Sequence, residues 1–154
     1  MIFKNFFSYF FRKSDIKTLF LIDILNMQDL NAIYNFDNGN YIISQLSSIL
    51  KIKTKNSIEK ILNRKSPVIV KNTHADVFEF FIYDDLSIEE IIKVKNLIYE
   101  NIVSYDFKLL NKIFIINIDV TIGCSKSDDD RTKVYAEKAL HNAKQNFLHY
   151  SYYD

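Results

Sequence analysis

The chain is poor in the residues that build several common sites. Its 154 residues include two glycines, one proline, one cysteine and no tryptophan. A Walker or Rossmann phosphate loop needs several glycines within a short span, so both are excluded. The lone Cys124 excludes an internal disulfide and a cysteine metal cluster. It fits a reducing compartment, and a cytoplasmic location is expected. A formal net charge of +1 provides no field that would draw nucleic acid or an acidic membrane. Long hydrophobic runs are missing too. The opening MIFKNFFSYFF is interrupted by Lys4 and closed by Arg12-Lys13, too short to span a bilayer and without the small-residue cleavage site of a secretory signal. Its Phe3, Phe6, Phe7 and Phe10 predict an amphipathic helix that packs on the domain or on a partner.

What is present suits one globular domain over residues 1–154. Hydrophobic residues make up 48% of the chain, aromatic residues 15% and charged residues 25%, enough for a real core. Val68-Ile69-Val70 and Phe78 to Tyr83 flank a polar break, which predicts a β-hairpin with Asp76 at its turn. Leu19 to Ile24 is a continuous apolar run holding one acid, Asp23; it predicts a central strand buried on both faces. A buried carboxylate there must be solvated, paired or metal-bound.

The segments between alternate with these strands. Asn26 to Tyr34 predicts a short helix or turn, broken over residues 35–39. Ile42, Leu46, Ile49 and Leu50 then mark an amphipathic helix. Residues 51–66 are basic and polar, with a helical turn at Ile58, Ile61 and Leu62 that Pro67 stops. Ser87-x-x-Glu90 is a capping box opening a helix whose apolar face is Ile88, Ile91, Ile92, Leu97, Ile98 and Ile102. Lys112 to Gly123 predicts a second long strand. Asp128 to Asp130 place negative charge at the start of a last helix, with Ala136, Ala139, Leu140 and Ala143 as its buried stripe. The tyrosine-rich tail from Phe147 predicts a last strand or a linker.

The resulting order is a β-α-β-β-α-β core, ferredoxin-like or palm-type, in the α+β class: a central antiparallel sheet flanked by helices, with an extra N-terminal helix. It brings the Asp23 strand end to the Asp76 turn. Two carboxylates meeting at one sheet edge is the layout of a two-metal phosphoryl-transfer site. Cys124 reads as a small buried side chain. His74, His141 and His149 lack metal-ligand spacing.

Three blocks then carry a resemblance. Leu21-Ile22-Asp23-Ile24-Leu25-Asn26-Met27-Gln28-Asp29-Leu30-Asn31, continuing to Tyr34 and Gly39-Asn40, looks like LDIDNFKxIND…YGHxxGD. His74-Ala75-Asp76-Val77-Phe78 falls at a signature hairpin. Val120-Thr121-Ile122-Gly123, followed by Ala136-x-x-Ala139-Leu140-x-x-Ala143-Lys144, looks like VSIG and ADxALYxAK. In order and spacing the chain resembles the GGDEF domain family, the diguanylate cyclases that make cyclic di-GMP from two GTP molecules. The resemblance implies metal binding at Asp23, the Ile24 carbonyl and Asp76, with Asp76 also at the catalytic centre. It implies guanine contacts at Asn31 and Asn40, and phosphate contact at Lys144.

The departures point to lost activity. The signature glycines are His74-Ala75, whose side chains would crowd the nucleotide phosphates, and the signature glutamate is Val77. Leu25, Gln28, Asn40 and Leu148 replace an acid, a lysine, an aspartate and an arginine. Arg64-Lys65-Ser66-Pro67 lacks the acid of the inhibitory RxxD pattern. Two Mg²⁺ ions need several oxygen ligands, and two carboxylates remain. The expectation is a catalytically inactive, degenerate GGDEF-like regulatory module with vestigial Asp76, excised from a larger protein. It would act by protein interaction or GTP sensing, beside an EAL or sensory domain in the same protein, with a homodimer as a further expectation. No cofactor is required of such a module; Mg²⁺ enters only with bound GTP. The alternatives are an active cyclase with divergent ligands and a ferredoxin-like scaffold without a nucleotide role.

Overall fold

The computed structural model describes residues 16–74 and 76–153; the amphipathic N-terminal stretch and Ala75 lie outside them. The apolar run is β1, Lys17–Ile24, and seven of its eight residues are buried. It sits in the middle of a five-stranded sheet of order β2-β3-β1-β6-β7. The hairpin supplies β2, Val68–His74, and β3, Val77–Ile82. β3 pairs antiparallel with β1, while β2 forms the outer edge. On the other side β6, Val120–Ser127, pairs antiparallel with β1. The tyrosine-rich tail is β7, Tyr150–Tyr153, parallel to β6.

Strand alternation sorts the side chains between two layers. Phe20, Ile22 and Ile24 join Phe78, Phe80, Ile82, Ile122 and Cys124 in the larger core. Two helices close that face: α2, Phe36–Ser48, with Ile42 and Leu46, and α4, Ile88–Val103, with Ile91, Val94, Ile98 and Ile102. Leu19 and Leu21 face the other way, onto Ala136 and Leu140 of α5, Thr132–Gln145. A Cβ at Gly123 would lie 2.3 Å from the Leu140 amide nitrogen. That position therefore fixes how closely α5 approaches the sheet.

α1, Met27–Tyr34, leads directly from β1. The expected break over residues 35–39 is the single residue Asn35, whose φ of 77° interrupts the helical path. Gly39 lies inside α2, pressed against the Asn31 amide. Residues 51–66 are more helical than expected: a π-helical segment, Ile49–Thr54, runs into α3, Lys55–Leu62. The Ser87–Glu90 capping box is formed, Ser87 Oγ accepting from the Glu90 amide at 3.2 Å and Glu90 Oε2 from the Ser87 amide at 2.9 Å.

Two expectations need correction. Lys112 to Gly123 is not one long strand. Its first half yields only β5, Ile115–Ile116, which pairs with β4, Phe107–Lys108, in a separate two-stranded hairpin. α2 side chains hold that hairpin: Gln45 bonds both the amide and the carbonyl of Lys108, each at 2.8 Å, and Asn38 Oδ1 accepts from the Leu110 amide at 2.7 Å. The pleat breaks at Asp119, whose carboxylate turns back onto the Val120 amide at 2.8 Å. Asp128 to Asp130 do not open α5 either. That helix starts at Thr132, and Asp129 instead receives bonds from Ser127 and Arg131. Among the described residues no helix is long and apolar enough to cross a membrane.

Candidate functional site

The site lies where β1 ends. Leu19, Leu21 and Asp23 alternate onto the α5 face, so the run that buries two leucines also buries the carboxylate, which is 4% exposed. Asp23 is in register with Val77 of β3 and Thr121 of β6. The Ile24 amide donates to the Asp76 carbonyl at 3.1 Å, so the hairpin turn is tied to the strand end. The sheet thus brings Asp76 beside Asp23, as the topology predicted. Asn72 shapes this turn by donating to the His74 and Val77 carbonyls at 2.7 and 3.0 Å.

A cleft of about 550 Å³ opens here, lined among others by Asp23, Ile24, Gln28, Asp76, Lys144 and His149. Lys144 reaches over from α5 and its ammonium forms an ion pair with Asp23. Burial pushes the Asp23 pKa up; Lys144 opposes this through a hydrogen bond and its charge, and the nearby Asp76 charge adds to the rise. Desolvation therefore outweighs the ion pair.

The expected site residues separate into two groups. Asp23, Ile24, Asp76 and Lys144 meet at the cleft. Asn31 and Asn40 are not among its lining residues. Asn31 Oδ1 is buried beside Gly39 without a hydrogen-bond partner among the described residues, and Asn40 is exposed on α2. His74 is exposed and outside the residues that line the cleft. Phe78 is fully buried in the larger core, and Val77 packs against the Leu19–Leu21–Ala136–Leu140 cluster.

Sequence reasoning placed Asp23 and Lys144 at one site but missed that they would pair with each other. The available signal was spacing: Lys144 follows Leu140 by one helical turn, and Leu140 covers β1. It also missed His149, whose Nδ1 lies 3.5 Å from Asp119 Oδ2 and whose ring is 5.4 Å from that of Tyr99. The Tyr99 hydroxyl has its pKa raised, first by burial and then by Asp119. No pattern in the sequence pointed to this cluster.

The donor set does not fit a pair of magnesium ions. Magnesium is bound through carboxylates and substrate phosphates in near-octahedral geometry. Here the one deeply buried carboxylate already faces an ammonium, and Val77 offers no oxygen from its side chain. Among the described residues no group of three or more His, Cys, Asp or Glu side chains could hold a metal ion.

No protein-family model matches the chain, and no curated protein matches it. Solved structures do. The GGDEF domain of PA1120 (YfiN or TpbB) from Pseudomonas aeruginosa has a TM-score of 0.77 at 13% identity, covering 99% of this chain and 94% of that one. An EAL/GGDEF domain protein from M. capsulatus has 0.72 at 15% identity, covering 93% and 88%. The GGDEF domain of DgcB from Caulobacter crescentus, in complex with c-di-GMP, has 0.71 at 14% identity, covering 89% and 77%. At such identities the likeness is one of architecture. With β1, the hairpin, β6 and α5 arranged around the Asp23 cleft, the chain has the GGDEF domain fold.

Proposed function

We propose that the chain is a regulatory module of cyclic di-GMP signalling that has lost cyclase activity and acts by protein contact or by sensing GTP. The observation that carries this reading is the Asp23–Lys144 ion pair in the cleft. A two-metal phosphoryl transfer needs carboxylates free to hold cations that clamp the attacking and leaving oxygens. Asp23 is instead paired with the chain's own lysine, and burial raises the pKa of its carboxyl. Val77 supports the same reading, because a side chain packed into an apolar cluster can neither ligate a cation nor accept a proton. The open cleft leaves room for GTP, with Mg²⁺ entering only on the nucleotide. An EAL domain in the same protein fits the kinship in fold with an EAL/GGDEF protein.

The reading is tested by incubating the chain with GTP and Mg²⁺ or Mn²⁺ and separating the products by chromatography. No cyclic di-GMP is expected. Turnover that disappears in Asp76→Ala would replace this reading with that of an active cyclase with divergent ligands.

A further inference from the structure

The net charge of +1 conceals an uneven distribution. Residues 49–66 hold six of the chain's twenty lysines and arginines but one of its nineteen acids, Glu59. This segment is the π-helical turn Ile49–Thr54, α3 and the start of the loop after it. Every fourth residue, Leu50, Thr54, Ile58 and Leu62, is buried, and the three apolar ones join the larger core. Asn101 Nδ2 of α4 donates to Thr54 Oγ1 at 3.2 Å, so the polar member of that row is tied inward too. The row opposite is Ile52, Asn56, Lys60 and Arg64. Lys51 and Lys55 flank it on one side, Lys53 and Lys65 on the other. All eight of these residues are exposed, and Asn56, Lys60 and Arg64 border one depression together with Glu59 and Asn63.

Among the described residues none of the five lysines has an ion-pair partner. Arg64 differs, being bound to Asp84 and Glu90. From Lys51 to Lys65 the ammoniums extend over about 21 Å of helix. Lysine stems are long enough to bring those on the flanks to a plane laid on the outer row.

The composition of this face selects its partner. The segment has no aromatic residue, so nucleobases have nothing to stack on. Its one arginine is engaged, which removes bidentate recognition of individual phosphates. Protein interfaces are held by aromatic and arginine anchors, whereas Ile52, 63% exposed, is the single apolar side chain on the outer row. A diffuse, planar negative charge requires none of these. Flexible point charges meet it anywhere, and one apolar side chain among them enters the headgroup layer.

We propose that this face of the 49–66 segment lies against the anionic surface of a lipid bilayer, held by its lysines. No residue of the segment lines the Asp23 cleft, so the proposal is independent of what the cleft does.

The test is co-sedimentation of the full chain with vesicles of phosphatidylcholine containing about 30% phosphatidylserine, and with vesicles of phosphatidylcholine alone. Binding to the charged vesicles alone is expected, and its loss at about 0.5 M salt, where exposed charges are screened. One lysine near such a surface is worth about fivefold in partitioning, so Lys51→Gln with Lys55→Gln should lower it about 25-fold. Lys60→Gln with Lys65→Gln should lower it by a similar factor, so the result does not hang on one pair of substitutions. Lys51→Arg with Lys55→Arg should leave it within about twofold, because the charge is kept. Thermal melts like the parent's in these variants show that the fold is intact. Failure to bind the charged vesicles overturns the proposal. So does equal binding to the neutral vesicles, or binding indifferent to both glutamine pairs. Tighter binding to duplex DNA or to poly-glutamate at the same salt overturns it as well, by assigning the face to another class of partner.

Discussion

Asp23 and Lys144 tie the buried end of β1 to α5 through an ion pair in the cleft. A strand buried on both faces leaves its single acid out of water, and an ionised carboxylate there needs a partner. Because its pKa is raised, the folded chain keeps the Asp23 proton to higher pH than the unfolded chain does. The favourable contribution of this group is thus complete below the ordinary carboxylate value of 3.8 and is lost as pH rises through the folded value. Asp23→Asn should then melt at or above the parent temperature at neutral pH, with its advantage shrinking as pH falls towards about 4. Lys144→Ala should do the reverse, costing about 1–2 kcal/mol at neutral pH. That is less than the ~3–5 kcal/mol for breaking a fully buried pair, because the lysine is half exposed. The loss should be small in the Asp23→Asn background. Thermal melts of the two single variants and the double variant across that pH range provide the check. Equal losses from Lys144→Ala in both backgrounds would show that the pairing does not set its effect.

At the scale of elements, helix docking depends on a few contacts. α5 rests on β6 at Gly123, where a Cβ would come within 2.6 Å of the Ala136 carbonyl oxygen and the Leu140 Cα. Gly123→Ala should therefore lift the helix and cost about 1–3 kcal/mol by overpacking, read as a lower denaturant midpoint. The start of α4 is fastened differently. Arg64 pairs with both Asp84 and Glu90, while Glu90 also completes the capping box with Ser87. The Arg64 guanidinium is the main cause that lowers the Glu90 pKa to about 2, helped by the Ser87 amide and opposed by burial. This contribution is present above the ordinary value of 4.5 and disappears as pH falls to about 2. Glu90→Gln should cost about 1 kcal/mol at neutral pH, allowing for the exposure of Arg64, and nothing near the acid limit. A cost that persists unchanged at low pH would assign the loss to packing.

Across the whole molecule, local pattern and global fold agree where one face of an element is buried. The apolar run at β1, the hairpin at Asp76, the Ser87 capping box and the alanine stripe of α5 were all legible, because each records burial or capping directly in sequence. The β4–β5 hairpin was not. Its apolar run Ile113 to Ile116 reads as a strand continuous with Ile118, Val120 and Ile122, but partners 72 and 63 residues away, Asn38 for Leu110 and Gln45 for Lys108, hold the hairpin apart from the main sheet. The cleft was half legible. Topology brought Asp23 to Asp76, but whether Lys144 faced a ligand or a neighbouring carboxylate depended on how α5 crosses β1. Asn31 and Asn40 were assigned by resemblance alone, and Asn31 packs against Gly39 instead of lining the cleft.

Under the proposed reading, this cleft, within a GGDEF domain fold, does not assemble a pair of metal ions around a nucleotide. The most direct measurement is a titration of Mn²⁺ followed by electron paramagnetic resonance, with and without a non-hydrolysable GTP analogue. The chain is expected to retain no pair of manganese ions in either case, beyond the ion carried by any bound nucleotide. Two Mn²⁺ ions held per chain with the analogue, and released in Asp23→Asn, would contradict it.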